Sequence, residues 1–173
     1  RRRNGSFLDD TYCNMALQAR LFDAKSRFDH VSNNTFIEAR DRSNPYEKLK
    51  REYFQNRAAL KMAELDAECD HIFTNPPCYQ EECKTCIQPF YWGDVCAGPG
   101  GFSEFVSTVV KWHGKGFGFT LKQENDFKLD KFNPCSTPQT FKGYYGNGSG
   151  DITITSNIIS YSLEVFKGTD GKM

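Results

Sequence analysis

No apolar run in the sequence exceeds a few residues, and the amino end Arg1-Arg2-Arg3-Asn4-Gly5 leads into none. A membrane helix needs about 20 consecutive apolar residues, so neither a span nor a signal peptide is expected. An excess of charge is missing too: 22 Lys and Arg face 22 Asp and Glu. No whole-molecule field draws such a chain to nucleic acid, and a polyanion has to meet a local patch. Internal repeats are absent. The 7 cysteines are an odd number for a framework of bridges, and reduced thiols in a cytosolic or nuclear protein are the expectation. What is present, 38% hydrophobic and 25% charged residues, describes a globular domain rather than a tail or a fibre.

Helical periodicity appears first from Thr11 to Phe22, where Met15, Ala16, Leu17 and Leu21 follow an acidic start, and it predicts a helix that covers a core. A polar turn at Ser32-Asn33-Asn34 separates it from a short segment through Phe36, Ile37 and Arg40. Ser43-Asn44-Pro45 then reads as a helix start, with a capping side chain, proline in the first turn and Glu47 against the dipole. The stripe Leu49, Tyr53, Leu60 and Ala63 predicts a helix from Pro45 to about Glu68. Asn75-Pro76-Pro77 ends that region.

Phe90-Tyr91-Trp92-Gly93-Asp94-Val95-Cys96-Ala97 is aromatic and β-branched, the composition of a buried strand. Gly98-Pro99-Gly100-Gly101 closes it, and a helix follows with Phe102, Phe105, Val106 and Val109 expected to face inward. Gly116 to Leu121 reads as a second, parallel strand reached by a crossover. Strand, glycine turn and helix open a nucleotide-binding α/β unit. Lys122 to Gly150 is rich in turn residues and includes a loop, expected to be flexible, from Tyr144 to Gly150. Ile158 to Phe166 predicts one further apolar helix or strand.

The eleven residues from Asp94 to Glu104 carry the strongest chemical signal. Glycines let the backbone approach a ligand closely, and Pro99 stiffens the turn. The dinucleotide fingerprint spacing is absent, as is the Gly-Lys-Ser/Thr ending of a phosphate-cradling loop. A tight turn with an acid at the strand end suits a ligand with a cationic amino-acid end and a ribose, such as S-adenosylmethionine.

With Lys111 to Lys122 and Asn125 to Leu129, this run resembles the cap-specific mRNA 2'-O-ribose methyltransferases that act on the first transcribed nucleotide. The likeness continues through Asn44-Pro45-Tyr46-Glu47, Asn56 to Ala63, Tyr144-Tyr145-Gly146 and Gly150-Asp151-Ile152-Thr153. It implies an α/β, Rossmann-like S-adenosylmethionine-dependent methyltransferase with an N-terminal helical extension. Residues 1–44 would be the helical, cap-binding segment and 45–173 the N-terminal half of the methyltransferase domain. Lys61 matches the first lysine of a Lys-Asp-Lys catalytic set. Cys96, Ala97, Gly98, Pro99, Gly100, Gly101 and Phe102 would surround the donor, with Asp151 and Ile152 reaching it from the loop after the second strand. Lys25, Ser26, Arg27, Phe28 and Asp29 match the segment that recognises the cap guanosine, and Arg40 and Thr153 match positions near the capped RNA. Cys96 itself is expected as a small buried residue beside the donor.

The resemblance also implies capped mRNA as substrate, a nuclear address, no membrane, and transcription or RNA-processing machinery as partners. The family's later catalytic aspartate and second lysine have no match here, so the expectation is a domain cut short after its first strands, with little turnover alone. A non-catalytic cap- or RNA-binding remnant of the fold is the alternative. Cys69, His71, Cys78, Cys83 and Cys86 offer soft ligands, but their spacing matches no zinc finger, and free thiols in a surface insertion are preferred to a metal.

Overall fold

The computed structural model describes residues 14–49, 53–75, 89–124 and 126–173. The chain divides between Glu47 and Lys48 into two units.

In the first, Asn14 accepts the Leu17 amide at 3.1 Å and starts helix α1, Met15–Ser26. A 3-10 turn, Arg27–His30, carries the chain to Ser32, whose hydroxyl accepts the Thr35 amide at 3.2 Å and starts α2, Asn33–Ser43. Each cap satisfies an amide that the first helical turn leaves without a partner. Neither helix buries a residue. The apolar stripe of α1 is exposed, with Leu17, Leu21 and Phe22 among its outward residues, so the expectation that this helix covers a core does not hold within its own unit.

The helix expected from Pro45 does not start there. The Asn44 side chain accepts the Tyr46 amide at 3.1 Å in a local turn, and a 3-10 turn, Glu47–Leu49, follows. Helix α3, Arg57–Glu68, begins twelve residues later, capped by Asn56 on the Ala58 amide at 2.9 Å. The cause is tertiary. Just upstream the Gln55 amide is held by a buried carboxylate, so this stretch stays outside the helix.

Three parallel strands form the sheet of the second unit in the order β1, Phe90–Val95; β2, Gly114–Phe119; and β3, Phe141–Tyr144. Phe90 pairs with Gly114, and Gly116 with Phe141. Helix α4, Gly101–Val110, joins β1 to β2, and α5, Thr155–Thr169, follows β3. The third strand lies in the stretch read only as turn-rich, because its four residues are too few for an alternation to show. In α4, Val106 and Val110 are buried, with Ser103, Glu104 and Ser107, whereas Phe102 and Val109 are exposed. Phe105 packs on the core as expected, but Phe102 and Val109 give way to Ser103 and Glu104, which turn inward to bond Asp94, Gln55 and Asn133.

Strand β2 separates two layers. On one face Met62, Phe90, Trp92, Val106, Val110 and Phe141 form the core, and a Cβ on Gly116 would stand 2.3 Å from the Trp92 ring. On the other, Phe117 and Phe119 are fully buried, with Tyr161 of α5 against Phe119 at 5.2 Å between ring centroids and its hydroxyl donating to the Phe117 carbonyl at 2.7 Å. The strand is thin where the indole lies and thick where α5 lies. Gly116→Ala should therefore cost about 1–3 kcal/mol through overpacking, read as a lower urea midpoint; an unchanged midpoint would show that the indole can move aside.

Candidate functional site

Strand β1 ends in a turn whose backbone is tied to β2. The Cys96 amide donates to the Phe119 carbonyl at 2.7 Å, and the Gly98 amide donates to the Thr120 hydroxyl at 3.1 Å. The Gly98–Pro99 peptide is cis, and Gly100 has φ +106°, a left-handed conformation that glycine adopts without Cβ strain. Gly100 and Gly101 are buried; Ala97, Gly98 and Pro99 are half-buried. Cys96 is exposed, with φ +60°, so the expectation of a buried thiol is corrected: its amide bond to β2 holds the backbone while the side chain stands outward. Phe102 is exposed as well.

At the other end of the predicted set, Asp151 and Ile152 are half-buried. They follow β3, not the second strand as expected, because the additional strand precedes them. The Asp151 carboxylate accepts the Thr153 amide at 2.9 Å and the Thr153 hydroxyl at 2.7 Å, a turn that leads into α5. Gly150, at φ +70°, packs so closely on β2's end that a Cβ would stand 1.7 Å from the Thr120 carbonyl oxygen. Thr120 therefore touches both predicted walls: its hydroxyl holds Gly98 and its backbone abuts Gly150. Thr120 is not among the residues that the sequence marks as candidates. The alternation of β2 continued one residue further marks Thr120 as a buried polar side chain.

Two carboxyls organise the turn. Asp94, near the end of β1, accepts the Ser103 hydroxyl at 2.6 Å. Burial pushes its pKa up, and hydrogen bonds from Ser103 oppose the rise. Glu104 is fully buried and accepts the Gln55 amide at 3.0 Å and the Asn133 amide at 2.7 Å. Burial also raises its pKa, against the bonds from Asn133 and Gln55. The Gln55 side chain and the Lys128 amide both donate to the Pro99 carbonyl at 3.2 Å, so the same segments hold the turn.

Lys61 is exposed on α3. It stands one turn beyond Ala58, whose Cβ would be 3.1 Å from a Cβ on Gly101. The lysine helix and the glycine-turn helix thus pack directly. Lys25, Ser26, Arg27, Phe28, Asp29 and Arg40 lie in the first unit and are all exposed. Arg27 pairs with Asp23 at 3.0 Å, Arg40 with Asp41 at 3.1 Å, and the Phe28 ring meets Phe36 edge to face at 5.6 Å. Cys78, Cys83 and Cys86 lie outside the described residues.

Helices on both faces of a parallel sheet, with a glycine turn at the carboxyl end of its first strand, make this a Rossmann-like α/β protein whose ligand crevice lies at those strand ends. Residues 54–158 match the family described as FtsJ-like methyltransferase, and the chain belongs to it. Relatives named cap-specific mRNA (nucleoside-2'-O-)-methyltransferase 1 are 44% identical over 172 residues in Xenopus laevis, 43% over 175 in Homo sapiens and 45% over 150 in Drosophila melanogaster. These alignments cover 95%, 95% and 84% of the chain. The chain spans about a fifth of the length of these relatives, 20%, 20% and 19%.

The raised carboxyls give a pH signature. A native pKa above the unfolded one means that the native state binds the proton first. The contribution of Glu104 to stability is then complete below its unfolded value near 4.5 and is lost as pH rises through its native pKa. Glu104→Gln should flatten the fall in urea midpoint just above that value, and a slope equal to wild type would contradict the assignment.

Proposed function

We propose that the chain holds the donor-binding half of a cap-specific mRNA 2'-O-ribose methyltransferase, acting on the first transcribed nucleotide. The reading draws its substrate from the relatives' names and its site from one observation: Thr120 joins the turn after β1 to the loop after β3. Two walls separated by some fifty residues in sequence thereby meet at the carboxyl ends of parallel strands.

The residues suit S-adenosylmethionine. The half-buried backbone from Ala97 to Pro99 can be approached closely, and Asp94 is a carboxyl whose charge is disfavoured by burial, which a nearby cation would relieve. Cys96 to Phe102 would hold the donor on one side, and Asp151 with Ile152 on the other. When bound, the donor supplies a methyl group on a positively charged sulfur. Lys61, as an ammonium, would orient the ribose 2'-hydroxyl and stabilise the negative charge that develops as its proton leaves. Lys25, Ser26, Arg27, Phe28 and Asp29 would receive the cap guanosine, with basic groups for the triphosphate bridge and a ring to stack on a base, while Arg40 and Thr153 would contact the capped RNA. The reading includes a nuclear address and recruitment by transcription or RNA-processing machinery.

Calorimetric titration with S-adenosylhomocysteine should show a single site, and no detectable binding would defeat the reading. In the intact enzyme, Lys61→Ala should bind that ligand as wild type does and transfer methyl to capped RNA about 10²–10⁴-fold more slowly. Equal rates would remove Lys61 from the catalytic set.

A further inference from the structure

The second wall of the site depends on a side chain that the readings above leave without a role. Asn157, on the first turn of α5, is fully buried. Its Oδ1 accepts the Asn147 amide at 2.7 Å, and its Nδ2 donates to the Asp151 carbonyl at 2.8 Å and to the Ser149 hydroxyl at 3.2 Å. An asparagine amide offers two donor hydrogens and one acceptor oxygen, and all three are engaged by the one loop from Asn147 to Asp151. The loop is tied within itself as well, with Ser149 bonded to Asn147 and the Gly150 amide to the Tyr145 carbonyl at 2.9 Å. It is not the flexible segment that its composition suggests.

The need for such a clamp follows from the backbone. Gly146, Gly148 and Gly150 have φ of +57°, +99° and +70°. Glycine adopts these values without strain, but three glycines in five residues give a chain with much freedom to lose. A Cβ on Gly146 would stand 2.2 Å from the Asn157 Oδ1, so the loop is wrapped onto the amide itself. Its far end then delivers Gly150 against Thr120 and presents Asp151 and Ile152 beside the β2 terminus.

We propose that Asn157 is a positioning residue for the donor site, acting through the Asn147 to Asp151 loop to set the wall that receives the adenosine end of the ligand. The proposal rests on the donor reading above. Its adenosine assignment follows from the layout: the Asp94 carboxyl stands near the end of β1, where a cationic amino-acid end is suited, and the loop after β3 lies on the far side of β2. Asn157 acts without touching the ligand, by removing the freedom that donor binding would otherwise have to remove.

The test measures affinity in the intact protein for S-adenosylhomocysteine and for 5'-methylthioadenosine, which keeps the adenosine and lacks the amino-acid end. Asn157→Ala should weaken both by the same factor, about tenfold or more. Ser149→Ala, at an exposed position that leaves the core intact, should weaken both in the same proportion by a smaller factor. Asp94→Asn should weaken S-adenosylhomocysteine more than methylthioadenosine, a split that general loosening of the fold would not give. Wild-type affinity in Ser149→Ala, or an Asn157→Ala loss confined to S-adenosylhomocysteine, overturns the proposal while leaving the donor reading in place. Absence of S-adenosylhomocysteine binding by wild type overturns the donor reading itself.

Discussion

A buried carboxylate with no positive partner among the described residues governs the arrangement of the second unit. Glu104 is on the first turn of α4, where a negative charge is favoured by the helix dipole. Its oxygens collect amides from Gln55 and Asn133, segments far apart in sequence. Leaving such a group unbonded would cost several kcal/mol, so both segments are held to it. From Gln55 the chain enters the Asn56 cap and then α3, which carries Lys61; from Asn133 it continues to β3. The Asn133 side chain also donates to the Tyr53 carbonyl at 2.6 Å, closing the circle between the two. The glycine turn, the lysine helix and the third strand are thereby referred to one point.

The sheet adds a constraint of volume. On the face toward α4, Trp92, Phe127 and Phe141 fill the space that side chains on β2 would otherwise occupy, so Gly116 and Gly118 are required there for room. On the other face Phe117 meets Gly168 of α5, so the bulky and small partners are exchanged. Close packing of this kind transmits small displacements between layers. The glycine turn is attached to the same strand through Phe119 and Thr120, and its position inherits that rigidity.

Patterns confined to a few neighbouring residues were legible in sequence. The aromatic run of β1, the glycine turn and the parallel β2 were readable because each is specified within about ten residues. The junction of Gly98 with Gly150 was not, since it depends on Thr120 at the end of a strand whose partner on the far side went unseen. The Pro45 start misled for a similar reason: Asn44 and Pro45 carry valid helix-start chemistry, yet Asn44 uses its side chain for a local turn and Glu104 holds Gln55 outside the helix. Phe102 and Val109 misled because hydrophobic periodicity counts apolar residues, whereas α4 buries Ser103, Glu104 and Ser107. Buried polar residues with distant partners, Glu104 and Asn157 above all, leave no periodic trace.

The two units differ in how they hold their candidate residues. In the second, the glycine turn and the lysine helix are fixed by partly buried hydrogen bonds to Glu104, Thr120 and Pro99, where reduced exposure to water makes each bond count for more than at the surface. In the first, α1 and α2 bury nothing, and their shape rests on two caps, an edge-to-face ring pair and exposed ion pairs. Exposed pairs such as Arg27 with Asp23 contribute only about 0–1 kcal/mol, and salt screens them. A triphosphate can therefore take over either guanidinium at little energetic cost, exchanging a weak carboxylate contact for a charge-assisted bond to a more highly charged anion. On the proposed reading, the donor side is organised before its ligand arrives, and the cap side acquires its final contacts from the RNA it binds.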